Sequence, residues 1–187
     1  MKSKTKTNVI AVYIFIAVNY GIYLLDIFLP LSFLYLNHQN AYIYQFLTSA
    51  FCHGSFAHLT GNMFFIFFFG KLIEEEFGDS VLTLIYISSA IIVNVSSYIL
   101  TSTTGYSLGA SGVVFAFFSF TLVKRVVQKS DWRSWIEILV LGPFVLSYLF
   151  TEFSMVDVKD NIGHSAHLLG GICGAILFFV LRRFSNA

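Results

Sequence analysis

Residues 101–127 read TSTTGYSLGASGVVFAFFSFTLVKRVV, and the contrast inside that stretch decides the architecture. Polar and glycine-containing residues without Lys or Arg lead up to Ser111, and an apolar run follows to about Val126 with Lys124 and Arg125 near its end. A helix over 111–126 is roughly 24 Å long at about 1.5 Å per residue, shorter than a hydrocarbon core of about 30 Å. With its basic end at one membrane interface, Ser111 starts the helix below the opposite surface. The preceding stretch must then dip into the membrane. Non-helical backbone does so only where protein or a water-filled cavity satisfies its polar groups, so a wet, recessed cavity is expected beside Ser111.

Working outward, apolar runs predict further spans near 8–30, 54–72, 80–100, 135–152 and 163–181, six with 111–127. The chain as a whole agrees. Of its 187 residues 57% are hydrophobic and 11% charged, and its mean hydropathy of +0.77 is far from that of a soluble domain. Six spans and short connections use up this length, so one membrane domain over 1–187 is expected. The lipid bilayer is its surroundings.

A net charge of +1 offers no basic surface, so nucleic acid is not an expected partner. Lys2, Lys4, Lys6, Lys71, Lys124, Arg125, Lys129, Arg133, Arg182 and Arg183 fall on one side of the six spans, with only Lys159 opposite. The positive-inside rule then makes both termini cytoplasmic. The run after Lys6 looks like a signal peptide, but Asn19 and Asp26 interrupt it and no small-x-small cleavage site follows, so an uncleaved first helix is expected. Cys52 and Cys173 lie in apolar surroundings and suggest packing rather than a disulfide framework or a metal site. No metal or cofactor is expected.

This topology makes the second, fourth and sixth helices run inward from the outer face, and their first turns carry the polar residues. Polar groups inside spans are costly and mark candidate sites. The second helix begins His53-Gly-Ser-Phe-Ala-His58-Leu-Thr-Gly-Asn62, with His58 and Asn62 on one face. The fourth opens Gly109-Ala-Ser111-Gly112, and the sixth reads Gly163-His-Ser-Ala-His167-Leu-Leu-Gly170-Gly-Ile-Cys-Gly174. A serine hydroxyl becomes a nucleophile when a base takes its proton, and neutral His is the usual base. Ser111 and His167 can form that pair. Gly109 and Gly112 permit close approach, and His58 and Asn62 can donate hydrogen bonds to an oxyanion. Gly170 and Gly174 form a small-xxx-small face that would draw the sixth helix onto the fourth. Each motif alone also occurs as simple helix packing.

Together, H-x4-H-x3-N, GxSG and AHxxGxxxG, in this order and topology, resemble the rhomboid family of intramembrane serine proteases across roughly residues 50–180. The resemblance implies an all-α membrane protein with a six-transmembrane-helix rhomboid fold, and a Ser111–His167 dyad that cleaves transmembrane segments of other proteins without a required carboxylate. It implies an oxyanion hole of the Ser111 N–H with His58 and Asn62, and an aromatic residue, here Phe115, packed on the catalytic histidine. Helical spacing alone makes Phe115 a core residue. His53 matches a histidine that supports the loop beside the site, and an interfacial role explains it equally. The Glu74–Glu76 run resembles a structural acidic terminus on the cytoplasmic side.

His164 reads as an outer-end cap, and Asp26 and Glu152 as structural residues with no motif linking them to His167. The first loop lacks a Trp-Arg pair carried by many members; Trp132-Arg133 lies in a cytoplasmic connection. The absence of a seventh helix or soluble extension resembles the minimal prokaryotic form, implying a multi-pass protein of a bacterial inner membrane with its site on the extracytoplasmic side. Two alternatives are a catalytically inactive rhomboid-like protein that binds membrane clients, against which the intact Ser111 and His167 speak, and a small transporter. A transporter predicts paired intramembrane charges or inverted repeats with broken helices, which are not visible. The sequence leaves the oligomeric state open.

Overall fold

The computed structural model describes residues 10–100, 104–128, 132–156 and 163–184. Lys2, Lys4, Lys6, Lys129 and Lys159, used in the charge reading, and residues 101–103 of the dipping stretch lie outside the described residues. The described chain is α1 (Ala11–Phe28), β1 (Leu36–Asn37), α2 (Gln45–Thr48), α3 (Phe56–Phe77), α4 (Asp79–Leu100), β2 (Tyr106–Ser107), α5 (Ser111–Val127), α6 (Trp132–Ser154) and α7 (His164–Leu181). Among the described residues five helices, α1, α3, α4, α6 and α7, are long and apolar enough to cross a membrane. At 17 residues, α5 measures about 25 Å.

Local chemistry sets the helix ends. Ser55 caps α3, its side chain accepting the His58 N–H at 3.2 Å. Gly78, at φ 86°, is all that separates α3 from α4, and a positive φ in so tight a reversal favours glycine. α3 runs on to Phe77, beyond the expected end near 72, so Lys71 lies well inside the helix, 3.7 Å from Glu75. Lys124 and Arg125 likewise belong to the last turn of α5, where cations complement the helix dipole. Lys124 is buried against Glu76, and Arg125 Nε lies 2.6 Å from Glu137. Trp132 begins α6.

The buried Glu74 of α3 is a cap for another helix: its carboxylate accepts the N–H groups of Ile10, Ala11 and Val12 at the start of α1. These donors have no partner within α1, so the contact ties the first helix to the third.

At the centre stands α5, buried around most of its circumference, with Phe117, Phe118 and Phe120 at most 1% exposed. Its closest neighbour is α7. A Cβ at Gly170 would overlap the Gly112 carbonyl and one at Gly174 that of Ala116, so the two backbones touch. A Cβ at Gly112 would come 2.7 Å from Val93 of α4. Small residues are therefore required where α5 is wedged between α4 and α7. Dispersion between closely packed backbones is the main attraction open to helices in lipid.

The first loop is fastened without a Trp-Arg pair. Asp26 accepts the Leu31 N–H at 2.7 Å and the Tyr35 hydroxyl. Thr48 Oγ1 donates to Leu34 O, and Gln45 Nε2 to Phe33 O. β1 then pairs antiparallel with β2, Leu36 opposite Ser107 and Asn37 opposite Tyr106. His38 Nε2 lies 2.7 Å from Ser107 Oγ, and burial lowers the His38 pKa, which favours a neutral ring in this contact. The pairing holds the first loop against the segment that leads to Ser111.

Candidate active site

Ser111 is the first residue of α5, and its half-buried side chain faces α7. Its Oγ lies 2.7 Å from Nε2 of His167, one turn into α7. The pair is a consequence of the glycine seam: with α5 and α7 in backbone contact at Gly170 and Gly174, side chains one turn earlier are within hydrogen-bond reach. Phe115, one turn beyond Ser111, lies flat on the imidazole, with ring centroids 4.6 Å apart and planes 8° from parallel. It fixes the ring's tilt as well as filling core.

His58 and Asn62 line the same cavity from α3, and Gly109 closes it from the preceding loop. The cavity has a volume of about 580 Å³ and also touches Tyr148, Glu152 and the loop at Tyr106–Leu108. Gly109 has φ +126°, and a Cβ there would come 2.6 Å from the His58 ring, so this position requires glycine on both counts. Its N–H is held by Ser49 O at 2.9 Å.

His53, just before α3, is buried behind this wall. Asn62 Nδ2 donates to His53 Nε2 at 3.0 Å, and the Ala110 N–H approaches the same nitrogen at 3.4 Å. Two donors on one ring nitrogen require it to be unprotonated. Burial, and secondarily the neighbouring His58, pulls the His53 pKa down to about 4, which keeps the ring neutral near pH 7. His53 thus orients the Asn62 amide and the backbone immediately before Ser111. Cys52 beside it has its thiol pushed up to about 12, chiefly by burial, so it is no competing nucleophile at neutral pH.

Two residues read as structural in the sequence meet the site instead. His164, read as an outer-end cap, is 4% exposed, and its Nδ1 lies 2.5 Å from Glu152 Oε2. The same Oε2 stands 2.9 Å from His167 Nδ1, close enough for an ion pair although not aligned as a hydrogen bond. The His164–His167 spacing of three was visible as a shared helix face, but nothing in the sequence pointed from that face to the end of α6. Among the described residues Glu152, His164 and His167 form a group with three metal-type donor atoms, all within 4.8 Å of one another. Such an ion would have to take the Nδ1 positions that now face the carboxylate.

Residues 40–184 match the rhomboid domain. The chain belongs to the rhomboid family. It is 36% identical over 186 residues to the chloroplastic Rhomboid-like protein 11 of Arabidopsis thaliana, covering 92% of this chain and 65% of that protein. It is 27% identical over 157 residues to the rhomboid protease GlpG of Haemophilus influenzae, covering 79% of this chain and 77% of that one. This rhomboid chain therefore spans about two thirds of the chloroplastic relative's length. With one relative from a chloroplast and another from a bacterium, family membership selects neither membrane for this rhomboid protein; several apolar helices make it a multi-pass membrane protein.

Proposed function

We propose that this rhomboid protein is an intramembrane serine endopeptidase that cleaves transmembrane segments of other membrane proteins with a Ser111–His167 dyad. The carrying observation is the 2.7 Å contact of Ser111 Oγ with His167 Nε2 at a cavity set among apolar helices. His167 takes the hydroxyl proton as Oγ attacks the scissile carbonyl, then returns it to the leaving amine, which leaves an acyl group on Ser111. Water, activated by the same nitrogen, hydrolyses that ester. The tetrahedral oxyanion is met by the Ser111 N–H, free of an intrahelical acceptor at the start of α5, and by His58 and Asn62. In this reading α5 spans with the other five helices, both termini are cytoplasmic, and the site opens on the extracytoplasmic side, in the prokaryotic setting of a bacterial inner membrane.

A client-binding protein without catalysis would not need Ser111 and His167 in contact, or a ring stacked on the base. The test is labelling of the purified protein with a serine-directed fluorophosphonate, alongside cleavage of a transmembrane peptide in lipid. Wild type should be labelled and should cleave; Ser111→Ala and His167→Ala should do neither. Labelling that persists in Ser111→Ala would defeat the proposal.

A further inference from the structure

Glu152, near the end of α6, is 9% exposed and has two histidine nitrogens on one oxygen: His164 Nδ1 at 2.5 Å and His167 Nδ1 at 2.9 Å. A base at Nε2 needs its lone pair there, so the ring proton must sit on Nδ1. What faces Nδ1 therefore decides whether the ring is in its working tautomer. A carboxylate, which when ionised only accepts hydrogen bonds, favours a proton on Nδ1. With Ser111 on Nε2 and Phe115 on the ring face, Glu152 completes the set of contacts that hold the imidazole.

From these contacts we propose that Glu152 is a positioning residue for His167, and that His164 holds Glu152 in place as its second donor. This rests on the Ser111–His167 reading and adds a carboxylate to it. The proton from Ser111 Oγ goes to Nε2, the original proton stays on Nδ1, and the imidazolium formed is neutralised by the carboxylate beside it. Glu152 remains ionised throughout. Among the described residues the charged and polar neighbours of His167 are Glu152 from α6, His164 on its own helix, Ser111 from α5 and His58 from α3. Only Glu152 among them is anionic. The His167 contact is bent at rest, and catalytic hydrogen bonds often tighten only when substrate is bound. The expected effect is accordingly smaller than the roughly 10⁴-fold loss when an amide replaces the aspartate of a well-aligned serine protease triad.

The experiment uses the full chain in lipid, with Glu152→Gln, Glu152→Asp and His164→Asn. It measures kcat and KM on a transmembrane peptide, and the His167 tautomer by ¹⁵N NMR of histidine-labelled protein. Glu152→Gln presents an amide that can donate to Nδ1. It should lower kcat by about 10- to 100-fold with KM within about twofold, and move His167 toward the Nε2–H tautomer. Glu152→Asp should recover part of kcat, and His164→Asn should lower it by about threefold. An unchanged kcat and tautomer in Glu152→Gln, in a preparation whose Ser111→Ala form is inactive, overturns the role of Glu152 and leaves the protease reading standing. Absence of cleavage by wild type removes the protease reading itself. If Glu152→Gln does not fold, Glu152→Asp decides: a lower kcat at constant KM supports the role, and an unchanged kcat overturns it.

Discussion

The two walls of the cavity are built differently. One, made by α3, α5 and α7, is locked: backbone touches backbone at Gly170 and Gly174, and His53 ties Asn62 to the stretch before Ser111. The other is α6, of whose apolar stretch 11% is buried against 44% for α7. Leu139, Val140, Leu146 and Phe150 of α6 are all largely exposed and would face lipid. Ser111 and His167 sit in the locked wall, while Glu152, which faces His167 Nδ1, comes from the loose one. Under the proposed protease function, a reaction that depends on a 2.7 Å contact needs the rigid frame that the locked wall supplies.

The largest break in this contrast should come from Gly174→Val. A side chain there has no space against the Ala116 carbonyl, so α7 must move off α5. Fluorophosphonate labelling should fall by about a thousandfold, about 4 kcal/mol.

Next is a pH effect in the same locked wall. The His53 pKa is about 4 when folded, against 6.5 for the free side chain. Below pH 6.5 the unfolded chain binds the extra proton first, so this group's contribution is whole above 6.5 and is lost as pH falls toward 4. The loss should be about 3 kcal/mol, read by thermal unfolding in micelles, and His53→Gln should flatten that acid limb.

Phe115→Ala leaves a void beside His167. Lipid is as apolar as the core, so mainly the packing part of the usual cavity cost applies, about 1–2 kcal/mol in unfolding. Labelling should slow by about tenfold as the ring loosens. Leu139→Ala on the loose wall, 74% exposed, should change unfolding by less than about 0.5 kcal/mol. A large effect there would show that α6 is held by more than its inner edge.

Much of this was legible in the sequence because membranes impose a local grammar. The apolar runs named the long helices to within a few residues, and α5 spans 111–127 in both readings. Charges blurred one inner end: the span near 54–72 stops short of Glu74–Glu76, whereas α3 runs to Phe77, because charged side chains can finish a helix when a partner of opposite charge or the interface receives them. Ser111, His58, Asn62, Phe115 and His167 could be named because each belongs to a spacing within one helix, and the structure brings them around one cavity. His53 was ambiguous between a site support and an interface because its partners, Asn62 and Ala110, are on different segments.

The sequence by itself determined a bilayer protein with small residues along α7 and an N-terminal serine on a short α5. These are properties of composition and period, which act within a single segment. Only the tertiary structure decided that Glu152 meets both His164 and His167. A lone carboxylate near a helix end has no period to read. Its partners depend on how α6 lies against α7, which is set by packing between helices and not by either helix alone.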